Sequence, residues 1–120
     1  MASSSEENGL HSGLNWIPGR VVKLDLPGGF PIPHVGWNDL DVKRNSVLLS
    51  LSSRTPNFYF DHSYQYRCDQ QFVSATCDYG VSVVAAIERE NIFGVQFHPE
   101  KSQTNGLKLF RNFFEAIRRC

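Results

Sequence analysis

A chain of 120 residues holds one modest domain and is too short for two. Lysine plus arginine and aspartate plus glutamate both number 12, giving no net charge with the histidines neutral, so no basic excess points to a nucleic-acid backbone as partner. The opening Met-Ala-Ser-Ser-Ser-Glu-Glu lacks the basic and apolar regions of a signal peptide, no apolar run reaches membrane-spanning length, and three cysteines without metal-type spacing favour a reducing compartment and a cytoplasmic location.

In chain order, residues 2–7 are polar and read either as a tail or as the exposed end of a helix. Residues 9–14 (Gly-Leu-His-Ser-Gly-Leu) and 16–19 (Trp-Ile-Pro-Gly) are turn-like. Residues 20–26 alternate well enough to predict a half-buried strand, which the Pro-Gly-Gly-Phe-Pro at 27–31 breaks. Two prolines and an internal glycine make residues 32–38 an extended loop or edge segment. Residues 47–51 are ambiguous. The aromatic run 57–64 predicts a strand that leaves into a polar loop. Strands at 72–77 and 81–88 flank Asp78-Tyr79-Gly80, a hairpin signal, and another strand is predicted over 92–97 after a turn at Glu90-Asn91. At the end, Leu107, Phe110, Phe113, Phe114 and Ile117 fall at helical spacing, with Lys108, Arg111, Arg118 and Arg119 mostly outside the stripe. An amphipathic helix is expected there, capped by Ser102 or Thr104 and with a basic last turn suited to its dipole. No internal repeat, linker or domain boundary is visible, so residues 1–120 read as one strand-rich unit with a terminal helix.

The chemistry concentrates where the last strand stops on His98-Pro99-Glu100. Proline restricts the residue before it to extended geometry, and in an extended segment residues two apart share a side, so Glu100 is expected to reach His98. A carboxylate beside an imidazole fixes its tautomer and stabilises the imidazolium, which is the base-and-orienter half of a catalytic triad. Taken alone, His-Pro-Glu is equally a strand-end turn. A zinc reading fails on the pattern: His98-x-Glu100 matches the first element of the zinc deaminases, but no Pro-Cys-x-x-Cys follows, and His34, His62 and Cys77 have no zinc spacing. No metal and no other cofactor is expected.

The run Gly-Val-Gln-Phe-His-Pro-Glu-Lys-Ser at 94–102, followed by Gly106-Leu107, resembles the closing signature of class I (triad-type) glutamine amidotransferases. More narrowly, four blocks in order resemble the glutaminase-subunit family of imidazole glycerol phosphate synthases: residues 9–22, Pro-His-Val-Gly-Trp-Asn at 33–38, Tyr-Phe-Asp-His-Ser-Tyr at 59–64, and residues 97–102 with the helix after them. The resemblance implies a flavodoxin-like α/β domain, of which this chain would be the C-terminal part. It implies hydrolysis of glutamine, with ammonia passed to a (β/α)8-barrel cyclase subunit in histidine biosynthesis. Its partners would be glutamine and that cyclase, without nucleic acid or membrane.

By the same resemblance His98 is the base and Glu100 its orienter, against a packing role. Glu7 would contact the substrate's amino group, against a solvated acid. Ser63 and Tyr64 would hold the glutamine backbone, against an aromatic strand end. Trp37 would lie at the synthase interface, against a core tryptophan. His34 and His62 are expected to be hydrogen-bonded structural histidines, and His11 a loop residue without a role.

The family's nucleophile sits on a Gly-x-Cys-x-Gly elbow in the preceding half of the domain. Cys68, Cys77 and Cys120 all lack that context and read as structural or incidental thiols. By this alignment Met1 would fall inside the helix that follows the elbow, and the chain alone is expected to be inactive, with apolar sheet edges and faces that make it marginal or aggregation-prone. Two alternatives stand beside this reading: a related amidotransferase feeding a sugar-modifying enzyme, and a non-catalytic module that docks on a synthase through residues 33–38.

Overall fold

A computed structural model describes residues 1–7, 9–44, 46, 48–50 and 55–118. Among them lie ten strands, β1 (Ser4–Ser5), β2 (His11–Ser12), β3 (Gly19–Lys23), β4 (His34–Asp39), β5 (Asp41–Val42), β6 (Asn57–His62), β7 (Tyr64–Cys68), β8 (Val73–Asp78), β9 (Ser82–Arg89) and β10 (Ile92–Val95), and one α-helix, α1 (Gln103–Arg118). The strands form three sheets, ordered β2-β1-β3-β7, β10-β9-β8-β5 and β4-β6. The β1–β3 ladder is parallel and the other ladders are antiparallel.

The β8–β9 hairpin is the backbone of the core. Its apolar residues include Val73, Ala75, Cys77, Val83, Ala85 and Ala86, all buried, and Gly80 closes the turn with a φ of +78° that a side chain would resist. Against this hairpin pack Phe58 and Phe60 of β6, Phe97, Leu24, Leu40, Leu48, Leu49 and Leu109 of α1. Phe58 and Phe60 alternate with outward Tyr59 and Asp61, the period-2 pattern of a half-buried strand. Phe97 stacks on Phe58 at a centroid distance of 4.1 Å, which ties the end of the last strand to β6.

Several expectations change. Residues 2–7 are neither a tail nor a helix end. Ser4–Ser5 pairs with β2 and β3, and Ala2 is buried. The cause is tertiary: Gly19 C=O and Ala2 C=O join the N-terminal segment to its neighbours through Ser3 N–H and Asn15 N–H, bonds no local pattern announces.

The strand predicted over 20–26 stops at Lys23, because Leu24 N–H turns to the Ser63 carbonyl at 3.0 Å. Residues 34–39 form a full strand paired with β6 on one side, so the edge reading of 32–38 holds for its C-terminal portion. The segment 47–51 and Cys120 lie wholly or partly outside the described residues.

The terminal helix forms, but its stripe does not all face inward. Leu109 is buried and Phe113 packs against the core, whereas Leu107, Phe110, Phe114 and Ile117 are exposed. Nor does either candidate residue cap it through its side chain as expected. Thr104 is inside the helix, and the Ser102 hydroxyl is committed elsewhere.

Candidate functional site

The last strand delivers His98 to the edge of β6. Gln96 N–H donates to Ala85 C=O at 2.8 Å, keeping the chain on β9, and two residues later His98 N–H donates to Tyr59 C=O at 2.8 Å. His98 keeps extended backbone angles, but Pro99–Lys101 then forms a 3-10 turn. Glu100 therefore reaches His98 by folding back through that turn, not along an extended segment. Ser102 anchors the turn. Its buried hydroxyl donates to His98 C=O at 2.7 Å and accepts from Tyr59 N–H at 3.0 Å. Behind it, Gly106 lets α1 approach so closely that an added Cβ would sit 1.8 Å from the Pro99 carbonyl oxygen.

His98 Nδ1 lies 2.6 Å from Glu100 Oε1. A carboxylate only accepts, so Nδ1 carries the proton and Nε2 is the ring nitrogen able to take one. Desolvation alone would raise the Glu100 carboxyl, but its own backbone N–H, the His98 bond and the nearby His98 and Lys101 charges together hold it below its usual value. Both side chains remain partly open to solvent. The pair can accept and return a proton, and hold the resulting imidazolium beside an anion.

His98 borders an open cleft of about 560 Å³ lined also by Glu7, Val21, Pro33, Asp61, His62, Ser63, Tyr64 and Gln96. Glu7, Ser63, Tyr64 and His98, four positions singled out from the sequence, thus share one cleft. Glu100 stands behind His98 and is not part of the lining. Ser63 is the one-residue break between β6 and β7.

Trp37 lies apart from the cleft, on β4. It is 47% exposed, its ring edge-on to Tyr59 at 6.0 Å, with Lys101 Nζ 5.8 Å from the centre of the same Tyr59 ring.

His34 and His62 are buried and bonded to each other, Nδ1 to Nε2, at 2.9 Å. Burial, reinforced by His62, pushes His34 down to about 4. Burial is also the main cause lowering His62. The reading of both as structural histidines omitted that His62 lines the cleft. The signal would have been the register His34↔His62 across β4 and β6, which sequence spacing does not encode.

Burial raises the Cys68 thiol and pushes that of Cys77 up to about 12, and neither cysteine lines the cleft. No group of three or more His, Cys, Asp or Glu side chains converges among the described residues, and none of the described helices is long and apolar enough to cross a membrane.

Comparison with known proteins bears on this cleft. The glutamine amidotransferase class-I family model matches residues 30–117. The chain is 48% identical over 111 residues to the imidazole glycerol phosphate synthase subunit HisH of Rhodopirellula baltica, covering 92% of this chain and 54% of that protein. It is 47% identical over 117 residues to the HisH subunit of Leptospira borgpetersenii (94% and 57%) and 42% identical over 118 residues to that of Archaeoglobus fulgidus (98% and 59%). The chain thus spans about half the length of the curated relatives it matches. The crystal structure of a GMP synthase protein from Thermoplasma acidophilum superposes with a TM-score of 0.61 over 85% of this chain and 53% of that one. At 19% identity the likeness is one of fold.

Proposed function

The chain belongs to the class-I glutamine amidotransferase family, and from that premise we propose that it carries the base, the orienter and part of the substrate cleft of an imidazole glycerol phosphate synthase glutaminase subunit. The observation that carries the reading is the His98–Glu100 pair at 2.6 Å beside a cleft that also holds Glu7, Ser63 and Tyr64.

The reaction divides as follows. A cysteine thiol, supplied by an elbow this chain does not contain, gives its proton to His98 Nε2 and attacks the glutamine side-chain carbonyl. The imidazolium, held by Glu100, protonates the departing ammonia and leaves a thioester. Water then attacks the thioester, His98 again takes the proton and returns it to the sulfur, and glutamate departs. Glu7 suits the ammonium of a free amino acid, and backbone groups at the Ser63–Tyr64 break suit the rest of its main chain. Trp37, exposed beside Tyr59 and Lys101, fits a docking face for a (β/α)8-barrel cyclase that consumes the ammonia.

The test has two arms. The purified 120-residue chain is expected to release no glutamate from L-glutamine above background. Fusion behind the elbow-bearing portion of the Leptospira borgpetersenii relative is expected to restore hydrolysis that His98→Ala abolishes. Turnover by the chain alone, or a folded fusion whose activity ignores His98→Ala, overturns the reading.

A further inference from the structure

We propose that His34 is a positioning residue of the cleft: through His62 it holds the Tyr64 carbonyl, and so fixes the backbone of the Ser63–Tyr64 break, by a neutral hydrogen-bond relay that runs in one direction. The cleft's role in binding glutamine rests on the function proposed above; the relay itself does not.

The direction follows from which groups can only accept. His62 Nδ1 lies 2.7 Å from Tyr64 C=O, so it must carry a proton and donate. In a neutral ring His62 Nε2 is then an acceptor, and His34 Nδ1, 2.9 Å away, is its donor. That leaves His34 Nε2 unprotonated, facing the Asn38 amide nitrogen at a long 3.4 Å. The orientation of Asn38 is independently set, because its nitrogen donates to Asp78 C=O at 2.9 Å and its oxygen accepts from Asp39 N–H at 2.8 Å.

The opposite assignment fails at Asn38. A proton on His62 Nε2 would force one onto His34 Nε2 and set two N–H donors against each other. The His34 ring cannot easily turn to escape, since it is stacked between Tyr79 at 3.9 Å and Phe60 at 4.8 Å. Tyr79 is in turn held by its hydroxyl to Pro31 C=O at 2.7 Å.

Two nearby charges act on His62 in opposite senses: the Asp61 carboxylate favours its protonation and His98 opposes it. Desolvation of the pair outweighs both and keeps the relay neutral. A break between two strands has few ladder bonds to hold it, and Leu24 N–H on Ser63 C=O secures one side of this one. The relay secures the other.

The experiment uses the 120-residue chain and no glutamine, so it decides the relay independently of the fusion assay. Long-range proton–nitrogen NMR of the imidazoles at neutral pH is expected to show the proton on Nδ1 in both His34 and His62. His34→Asn, which keeps an N–H donor near the Nδ1 position, is expected to preserve the His62 tautomer and the Ser63 and Tyr64 backbone shifts. His34→Leu is expected to move the His62 proton partly to Nε2 and to shift the Tyr64 carbonyl carbon and Ser63 amide more than the amides of β8. A His62 proton on Nε2 in the unaltered chain overturns the proposal without any variant. So does His34→Leu, if it folds and leaves the His62 tautomer and Tyr64 carbonyl unchanged.

Discussion

At His98 a single contact decides the chemistry. The 2.6 Å bond to Glu100 selects the Nδ1–H tautomer and leaves Nε2 as base. In the glutaminase-competent fusion, Glu100→Gln keeps a hydrogen-bond acceptor but removes the anion, so kcat is expected to fall by about 10²-fold, with KM changing far less. Steady-state kinetics on the two fusions checks this. The buried histidines make a different forecast. His34 is lowered from its ordinary 6.5 to about 4, and His62 is lowered as well. Below pH 6.5 the unfolded chain therefore takes up protons that the folded chain refuses, so stability falls as the pH drops from about 6.5 toward about 4 and then levels off for this group. Urea midpoints measured from pH 7 to pH 4 should decline across that window, and should decline less in His34→Asn.

The element that sets the geometry is the Pro99–Lys101 turn, clamped between β6 and α1. Ser102 joins it to β6 through two hydrogen bonds, and Gly106 allows the helix to rest on Pro99. Ser102→Ala leaves the Tyr59 N–H without its partner in a buried place and is expected to cost about 1–3 kcal/mol. Gly106→Ala places a methyl where the Pro99 carbonyl stands and is expected to cost at least about 1–3 kcal/mol, while displacing the His98 turn. Chemical denaturation gives both costs, and the His98 imidazole signals report the displacement. Neither requirement is legible in the sequence as such. Gly106 reads there as an ordinary glycine near a helix start and Ser102 as a cap, because close approach and a cross-strand partner belong to the tertiary arrangement.

Over the whole molecule, the two larger sheets and the β4–β6 pair share one apolar core, yet α1 presents Leu107, Phe110, Phe114 and Ile117 to solvent. Their 3-4-3 spacing forms one continuous stripe. Lys108, Arg111 and Arg118 lie on the same helix. Contiguous exposed apolar surface favours association, so the isolated chain is expected to self-associate with rising concentration and to bind a hydrophobic dye. Phe110→Lys with Phe114→Lys should lower both, as sedimentation and dye fluorescence would show.

What the sequence determined by itself was local in origin. Alternation marked β6, β8 and β9, the Asp78-Tyr79-Gly80 turn marked their hairpin, the 3.6-residue period marked α1, and His98-Pro99-Glu100 marked a strand that stops on a base and a carboxylate. Tertiary structure decided what depends on contacts between distant segments. It placed Glu7 and His98 in one cleft, recruited Ser4–Ser5 into a sheet, set His34 opposite His62, and chose which face of α1 meets the core. The physical reason is common to all four. Hydrogen-bond partners and buried area are shared between residues tens of positions apart, and a short-range pattern specifies a donor or an apolar face without specifying what it will meet.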